Sequence, residues 1–189
     1  MEVAPMPQPE TDPIAALGEV DPKKVGKEEF VALLEAASEI AGSGTPVDLS
    51  ALRPEQFARL ISRASDAQIE AVMERPELRE RILDEVFRRM GEHYKTEKAG
   101  SIKAVVRWRI GTEDDLLRYE CVLADGQCTV SKDPQHEPRV TITTPPADFL
   151  KLASGNASAP MLFMKGKLKV AGDLGFAAGL TKLFQIPKA

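Results

Sequence analysis

The spacing of apolar residues changes partway along the chain, and this change limits the folds that the chain can adopt. Between about residues 27 and 94, apolar residues recur every three or four positions, as Phe30 and Leu33 do, which is typical of amphipathic helices. From Ile102 to Ile110 they occupy every second position, which is the period of a half-buried strand. The sequence therefore predicts a helical segment followed by a sheet.

Helix boundaries in the first half are marked by capping residues. Ser65 or Asp66 can supply the side-chain oxygen that caps one helix, and Pro76 suits the first turn of the next. The helix after Pro76 carries an apolar stripe opposite a charged face, consisting of Leu78, Ile82, Leu83, Val86, Phe87 and Met90. Such a stripe needs a partner surface, either the core of this chain or a second copy.

Composition separates the N-terminus from the rest of the chain. Residues 1–20 contain four acidic residues and no Lys or Arg, which leaves 25 of the 29 acidic residues to balance 25 basic ones. Five of the 14 prolines lie within the first 22 residues, and proline disfavours regular backbone pairing. We therefore predict a flexible, Pro-rich acidic tail (1–26), an all-helical segment (27–75) and a mixed domain (76–189).

A hairpin signal predicts the register of two strands and shows whether Cys121 and Cys128 could form a disulfide. Asp125-Gly126 favours a two-residue turn, because both positions need a positive φ. In that register Leu123 opposes Cys128, and Cys121 opposes Val130. The cysteines then share a face as diagonal neighbours, which is poor geometry for a disulfide. Buried free thiols are favoured over a redox pair.

The chain shows none of the patterns that mark common catalytic or metal sites. His93 and His136 have no second ligand at zinc spacing, and neither a nucleophile elbow nor a P-loop occurs. The balanced body lacks the basic excess of nucleic-acid-binding domains. No apolar run reaches the ~18 residues of a membrane-spanning helix. We expect no catalytic residue, metal, cofactor, nucleic-acid partner or transmembrane segment.

The cellular location is predicted from the chain ends and the cysteines. The first residues lack the basic and apolar regions of a secretory signal, and residues 185–189 do not resemble a Ser-Lys-Leu type of peroxisomal address. Two cysteines are too few for a disulfide scaffold. We expect a cytoplasmic protein.

Large apolar residues accumulate late in the chain. They occur at 146–154, at 160–164 and in a final helix that Asp173 can cap. Methionine beside phenylalanine forms an adaptable wall for an irregular apolar ligand. A well-packed core explains the same composition, so both interpretations remain open at this point.

One motif in this region is specific. Residues 163–173 have the sequence FMKGKLKVAGD, and Asp148–Gly155 form a second characteristic stretch before it. The motif resembles the Phe-x-x-Gly-Lys-Leu-Lys-(Ile/Val)-x-Gly-(Asp/Asn) signature in the sterol-binding domain of the sterol carrier protein type 2 family. The order of predicted elements agrees with that domain over about residues 80–187.

The resemblance implies an α+β fold. A five-stranded, mostly antiparallel sheet would be covered by helices around an apolar tunnel, with the small all-helical segment in front. Members of the family bind sterols, fatty acids, fatty acyl-CoA or phospholipids without changing them. The resemblance therefore implies non-catalytic binding, and transfer, of an apolar lipid in an internal tunnel, with the final helix and Phe163–Met164 as lid and mouth.

Apolar residues of the inward strand faces and of the late helices are the candidates for the tunnel lining. They are Val106, Trp108, Ile110, Tyr119, Cys121, Phe149, Leu152, Met161, Phe163, Met164, Phe176, Leu180, Leu183 and Phe184. Four lysines could meet an anionic headgroup or simply be solvated, namely Lys165, Lys167, Lys169 and Lys182. Transient membrane contact is compatible with such a protein.

Residues 27–75 lie outside the region of resemblance and allow other functions. This helical segment could cover the tunnel mouth, form a homodimer or bind a partner protein. The alternative function is therefore a protein-interaction or accessory module that keeps the fold and uses the helical segment. An enzyme or accessory subunit acting on a lipid-like substrate is a third hypothesis, for which the sequence offers no catalytic group.

Overall fold

The computed structural model describes residues 13–39 and 52–184, and statements on structure concern these residues. Residues 1–12 of the predicted tail and the final residues 185–189 lie outside the described part.

The first half of the described chain is helical, as the three-to-four spacing predicts. Its helices are α1 (Pro13–Glu19), α2 (Lys27–Glu39), α3 (Pro54–Arg63), α4 (Asp66–Met73) and α5 (Pro76–Glu92). Helix α4 begins where predicted, since the Gln68 N–H donates to the Ser65 hydroxyl at 3.2 Å and the Ser65 N–H donates to the Gln68 side chain at 2.8 Å. Pro76 occupies the first turn of α5, where a backbone N–H has no helical partner.

The second half forms one sheet with accompanying helices. The strands are β1 (Ala104–Thr112), β2 (Asp115–Ala124), β3 (Gln127–Ser131), β4 (Val140–Thr144) and β5 (Lys169–Gly172). In the order β3-β2-β1-β4-β5, the pair β1–β4 runs parallel and the other three pairs antiparallel. The helices are α6 (Thr96–Ala99), α7 (Pro146–Ala153), α8 (Ala159–Met164) and α9 (Leu174–Leu180), which a 3-10 turn continues at Thr181–Leu183. The predicted α+β class and mostly antiparallel sheet are confirmed.

The β2–β3 hairpin has the predicted register. Asp125-Gly126 forms its turn with φ of 53° and 72°, and Leu123 pairs with Cys128 while Cys121 pairs with Val130. Both cysteines are free thiols, Cys121 buried and Cys128 half-buried. The two-residue turn therefore predicted the cross-strand neighbours of both cysteines correctly.

The predicted flexible tail is wrong over residues 13–26. Pro13 begins helix α1, a position that suits a residue without an N–H, and Leu17 is buried. A 3-10 turn follows from Pro22 to Lys24. The Gln68 side chain donates hydrogen bonds to the carbonyls of Pro22 and Val25 at 2.9 and 3.0 Å. The high proline content led to the prediction of a flexible tail, whereas residues 13–26 include a segment that is hydrogen-bonded to helix α4.

A stack of aromatic rings occupies the centre of the core. Phe87 of α5 stacks on Tyr119 with ring centroids 4.0 Å apart and on Phe149 with centroids 5.0 Å apart. Trp108 meets Phe87 edge-on at 6.0 Å. The partner surface of the α5 stripe is therefore the core of this chain. One continuous group of buried apolar residues runs from the first helices to Phe184, so the division at residue 75 remains a prediction from pattern.

Replacing Phe87 by alanine should lower the free energy of unfolding by about 3–5 kcal/mol, because a fully enclosed ring leaves a cavity between helix and sheet. Urea unfolding followed by circular dichroism measures this loss. Phe163→Ala is the matched control, since Phe163 is 51% exposed and its change should stay within about 0.5 kcal/mol. Equal effects of the two variants would contradict this account of the core.

Candidate functional site

An apolar cavity of about 150 Å³ lies between α3, α5, β1, α7 and α9. Ten of the residues around it are apolar: Pro54, Phe57, Val86, Met90, Trp108, Phe149, Leu152, Ala153, Leu180 and Phe184. Four polar residues complete the lining, Glu55, Arg89, His93 and Thr181. The cavity can therefore accept an apolar group, and polar side chains occupy only a few positions of its lining.

Strand and helix periods explain how the apolar lining residues reach the cavity. Trp108 stands on the inward face of β1, where alternate residues are buried. Phe149 and Leu152 are three apart on α7 and therefore share one face of that helix. The Trp108 and Phe149 rings meet edge-on with centroids 5.3 Å apart. Sheet and helix α7 thus form one aromatic wall.

The end of the described chain forms another wall. Leu180 at the end of α9 is 3% exposed, and Phe184 packs against Tyr94 with ring centroids 5.5 Å apart. The Lys95 N–H donates to the Leu183 carbonyl at 2.7 Å. These contacts fasten the segment after α9 to the residues that follow α5.

Arg89 connects the cavity to the N-terminal helices. One guanidinium nitrogen, Nη2, donates to the Leu52 carbonyl at 2.6 Å, and another donates to Glu85 on the same helix. The guanidinium also lies over the Phe57 ring, with Cζ 5.5 Å from its centroid. Helix α3 is thereby held against α5, so the helical segment supplies part of the cavity wall.

The buried carboxylate of Glu85 is compensated by two arginines. Burial by itself would raise its pKa, but hydrogen bonds from Arg88 and Arg89 outweigh this effect and hold the pKa below its ordinary value. Glu85 is therefore ionised at neutral pH and paired. Its charge is engaged in holding the helix surface together.

The buried Cys121 thiol beside the aromatic core is poorly suited to chemistry. The hydrogen bond between the two cysteines, reinforced by burial, raises the pKa of Cys121 well above its ordinary value. The same hydrogen bond lowers the pKa of Cys128. Cys121 is thus a protonated thiol at neutral pH and a weak nucleophile.

The described residues contain no group of three or more His, Cys, Asp or Glu side chains arranged to hold a metal ion. None of their helices combines the length and apolar content needed to cross a bilayer.

The structure places the predicted lining residues in three different settings. Five line the cavity: Trp108, Phe149, Leu152, Leu180 and Phe184. Five others are buried in the core without lining it: Val106, Ile110, Tyr119, Cys121 and Leu183. The remaining four lie outside, with Phe176 half-buried beneath the Arg139 guanidinium and with Met161, Phe163 and Met164 exposed. Within α8 only Leu162 is fully buried and Ala159 is half-buried against the core, so Met161, Phe163 and Met164 lie on the outer side of the helix.

Sequence reasoning missed the contribution of α3 and the end of α5. Val86 and Met90 belong to the predicted apolar stripe, but the spacing of apolar residues does not show that they, or Phe57 on α3, face a cavity. Arg89 and His93 gave no signal, because an arginine or a histidine on a charged helix is usually solvated. Only the juxtaposition of α3 and α5 brings these residues to the site.

The second half of the chain matches a known protein family. The SCP-2 sterol transfer family matches residues 83–185. Hydroxysteroid dehydrogenase-like protein 2 from Bos taurus is 27% identical over 108 residues, which are 57% of this chain and 26% of that protein. The chain spans about a quarter of the length of such relatives.

Two solved structures cover different shares of the chain. Sterol Carrier Protein 2 Like 2 from Aedes aegypti aligns with a TM-score of 0.46 and 21% identity, over 56% of this chain and 94% of that one. The inverting sec-alkylsulfatase Pisa1 from Pseudomonas sp. aligns with a TM-score of 0.49 and 14% identity, over 96% of this chain and 33% of that one.

Replacing Arg89 by methionine should lower the free energy of unfolding at pH 7 by about 1–3 kcal/mol, since Leu52 and Glu85 lose a donor. The depressed pKa of Glu85 means that the pair stabilises the fold above the ordinary value of 4.5, and that this contribution disappears as pH falls through the lower folded value. The difference between wild type and variant should therefore shrink in acid.

Urea unfolding at a series of pH values between neutral and acidic measures this difference. Arg118→Met, on the exposed side of β2, is the control and should change stability little at any pH. A difference for Arg89→Met that stays constant from neutral to acidic pH would contradict the proposed pairing with Glu85.

Proposed function

The chain belongs to the SCP-2 sterol transfer family, whose domains bind lipids, and from this membership we propose that it holds an apolar lipid chain in the cavity beside Trp108 and Phe149. Binding is non-catalytic and needs no cofactor. Transfer of that lipid between membranes is part of the proposal. The apolar cavity closed by α3 is the observation that carries it.

The free energy of binding comes from burial of methylene groups. Each methylene transferred from water to an apolar wall contributes about 0.8 kcal/mol, and aromatic walls exclude water efficiently. Ordering of the ligand and loss of its free motion reduce that gain. A chain of roughly ten methylenes would then bind with a dissociation constant in the micromolar range or higher.

Cavity size favours a flexible ligand. A volume of about 150 Å³ is comparable to a cavity that takes a benzene-sized molecule. A long lipid therefore needs the walls to move apart. An acyl chain can enter such a space segment by segment, whereas a rigid sterol needs the full width at once. We propose a fatty acid or fatty acyl group as the ligand, ahead of a sterol or an intact phospholipid.

Helix α9 is the wall that we propose to move. Its seven residues include two glycines and two alanines; only Leu180 is fully buried, and Phe176 and Ala177 are half-buried against the core. An element with so little buried apolar surface separates from the core at low cost. Helix α3 has four buried residues and the bonds of Arg89, so it should stay in place.

We further propose that the protein acts in the cytoplasm and without a catalytic step. The free thiols support a reducing compartment. The paired state of Glu85 and Arg89 supports a structural use of the charges at the cavity edge. A protein partner or a homodimer through residues 27–75 is the competing function, although α3 already uses its apolar face to cover the cavity.

Organic extraction of the purified protein, followed by mass spectrometry, should release a fatty acid or fatty acyl compound. A fluorescent fatty acid should bind and should be displaced by an unlabelled one. Folded protein that yields no lipid and takes up no probe would contradict the proposal and favour an accessory module.

Ala153→Phe should weaken binding of the fluorescent fatty acid at least tenfold, because a ring at this lining position occupies the space of the ligand. Ala178→Phe is the matched control, since Ala178 is exposed on α9 and does not line the cavity. Titration measures both affinities, and far-UV circular dichroism checks that both variants are folded. Wild-type affinity in Ala153→Phe would place the ligand elsewhere.

A further inference from the structure

The exposed large apolar side chains of the described residues are concentrated in one stretch. They are Met161, Phe163, Met164 and Leu174, with exposed fractions of 52%, 51%, 81% and 56%. Isolated exposed apolar residues are ordinary on protein surfaces, but three within four consecutive positions are not. Helix α8 therefore presents an apolar surface to solvent.

Helix geometry explains how α8 presents this surface. Successive residues turn by about 100°, so Met164 lies nearly opposite Leu162, and Met161 and Phe163 flank it. Leu162 is 6% exposed and is the residue that anchors α8 to the core. The side of the helix that points away from the protein is thus as apolar as the side that is buried.

The turn after α8 is anchored as well. Leu168 is buried, and the N–H groups of Lys167 and Leu168 donate to the Leu162 carbonyl at 2.9 and 3.2 Å. The Ser158 hydroxyl caps the start of α8 by accepting from the Met161 N–H at 3.4 Å. These bonds hold the apolar residues in place as a projection from the surface.

Lysines predominate in and beside this projection, and the nearby Asp66 of α4 is paired with Lys151 at 2.5 Å. Lys165, Lys167 and Lys169 are all exposed, and the sequence contains no acidic residue from 149 to 172. The acidic residues on either side of that stretch are both paired: Asp148 lies 3.5 Å from Lys167, and Asp173 lies 2.8 Å from Arg139. A basic apolar region therefore stands on a chain whose net charge is −4.

We propose that α8 and the turn after it, residues 159–169, dock on an anionic lipid bilayer. Phe163 and Met164 enter the boundary between headgroups and acyl chains, as the apolar side of an interfacial helix does. The lysines meet the lipid phosphates, with their stems extended along the apolar surface. This surface is separate from the cavity, and its docking does not require that the cavity holds a lipid.

Charge and composition favour a bilayer over a protein as the occupant. Lysine is depleted at protein interfaces, whereas lysine beside phenylalanine and methionine is typical of helices that lie on membranes. In a two-fold contact with a second copy, the same surface would meet itself. The lysines of the two copies would then face each other and repel.

Flotation of the full-length protein with vesicles tests the proposal. Wild type should bind vesicles of phosphatidylcholine mixed with phosphatidylglycerol, and should bind pure phosphatidylcholine much more weakly. Binding to the anionic vesicles should fall as salt is raised, since surface attraction is screened. Equal binding to both vesicle types, or no binding to either, would overturn the proposal.

Two double variants separate the apolar contribution from the charge contribution. Lys165→Gln with Lys169→Gln should weaken binding by about fivefold per lysine. Phe163→Ser with Met164→Ser should weaken it at least tenfold and leave the unfolding curve unchanged, because both residues are exposed.

The matched control is Lys23→Gln with Lys24→Gln, which removes the same charge from the turn after α1 and should keep vesicle binding within about twofold of wild type. Fatty acid uptake should be unchanged in all three variants. The uptake assay and the vesicle assay therefore test the cavity proposal and the docking proposal separately. Wild-type vesicle binding by the α8 variants would overturn the proposal. Sedimentation velocity gives a second test. If wild type is a dimer and Phe163→Ser with Met164→Ser is a monomer, the surface binds a second copy and the proposal is overturned.

Discussion

The stacking of Phe87 between Tyr119 and Phe149 is the contact on which the rest of the structure depends. It joins three elements that are far apart in sequence: helix α5, strand β2 and helix α7. Each ring is at most 1% exposed, so the stack is both the centre of the core and a barrier to water. The cavity lies beside this barrier, where Trp108 and Phe149 present their remaining surface.

Apolar packing and one largely buried arginine bring the helical segment to the site. Arg89 reaches from α5 to the Leu52 carbonyl and lies over Phe57, and its charge is balanced by Glu85. A buried arginine without these partners would destabilise the fold by several kcal/mol. Helix α3 is therefore part of the cavity wall.

Cavity and docking surface divide the late apolar residues between them. Phe149, Leu152 and Leu180 face inwards and line the cavity in which we propose that an acyl chain binds. Phe163 and Met164 face outwards and stand beside lysines. In this scheme one part of the chain holds the lipid and the other brings the protein to the surface where lipids are exchanged.

Local patterns were enough for the change from helices to a sheet after residue 26, for the hairpin register and for the family. Ser65, Pro76 and Asp125-Gly126 each act through their own backbone and close neighbours, so the helix starts and the pairing of Cys121 with Val130 followed from sequence alone. The signature at 163–173 predicted the family for the same reason, since it is a continuous stretch.

The division of apolar residues between cavity, core and surface depended on tertiary structure. Met161 and Leu180 look alike in the sequence, yet one is half exposed and the other is 3% exposed. The tail was misjudged for a related reason, because Leu17 is buried and the Pro22 carbonyl accepts a hydrogen bond from Gln68, which lies 46 positions away. Burial is decided by which elements pack together across the chain, and the period of a helix or strand indicates only which residues share a face.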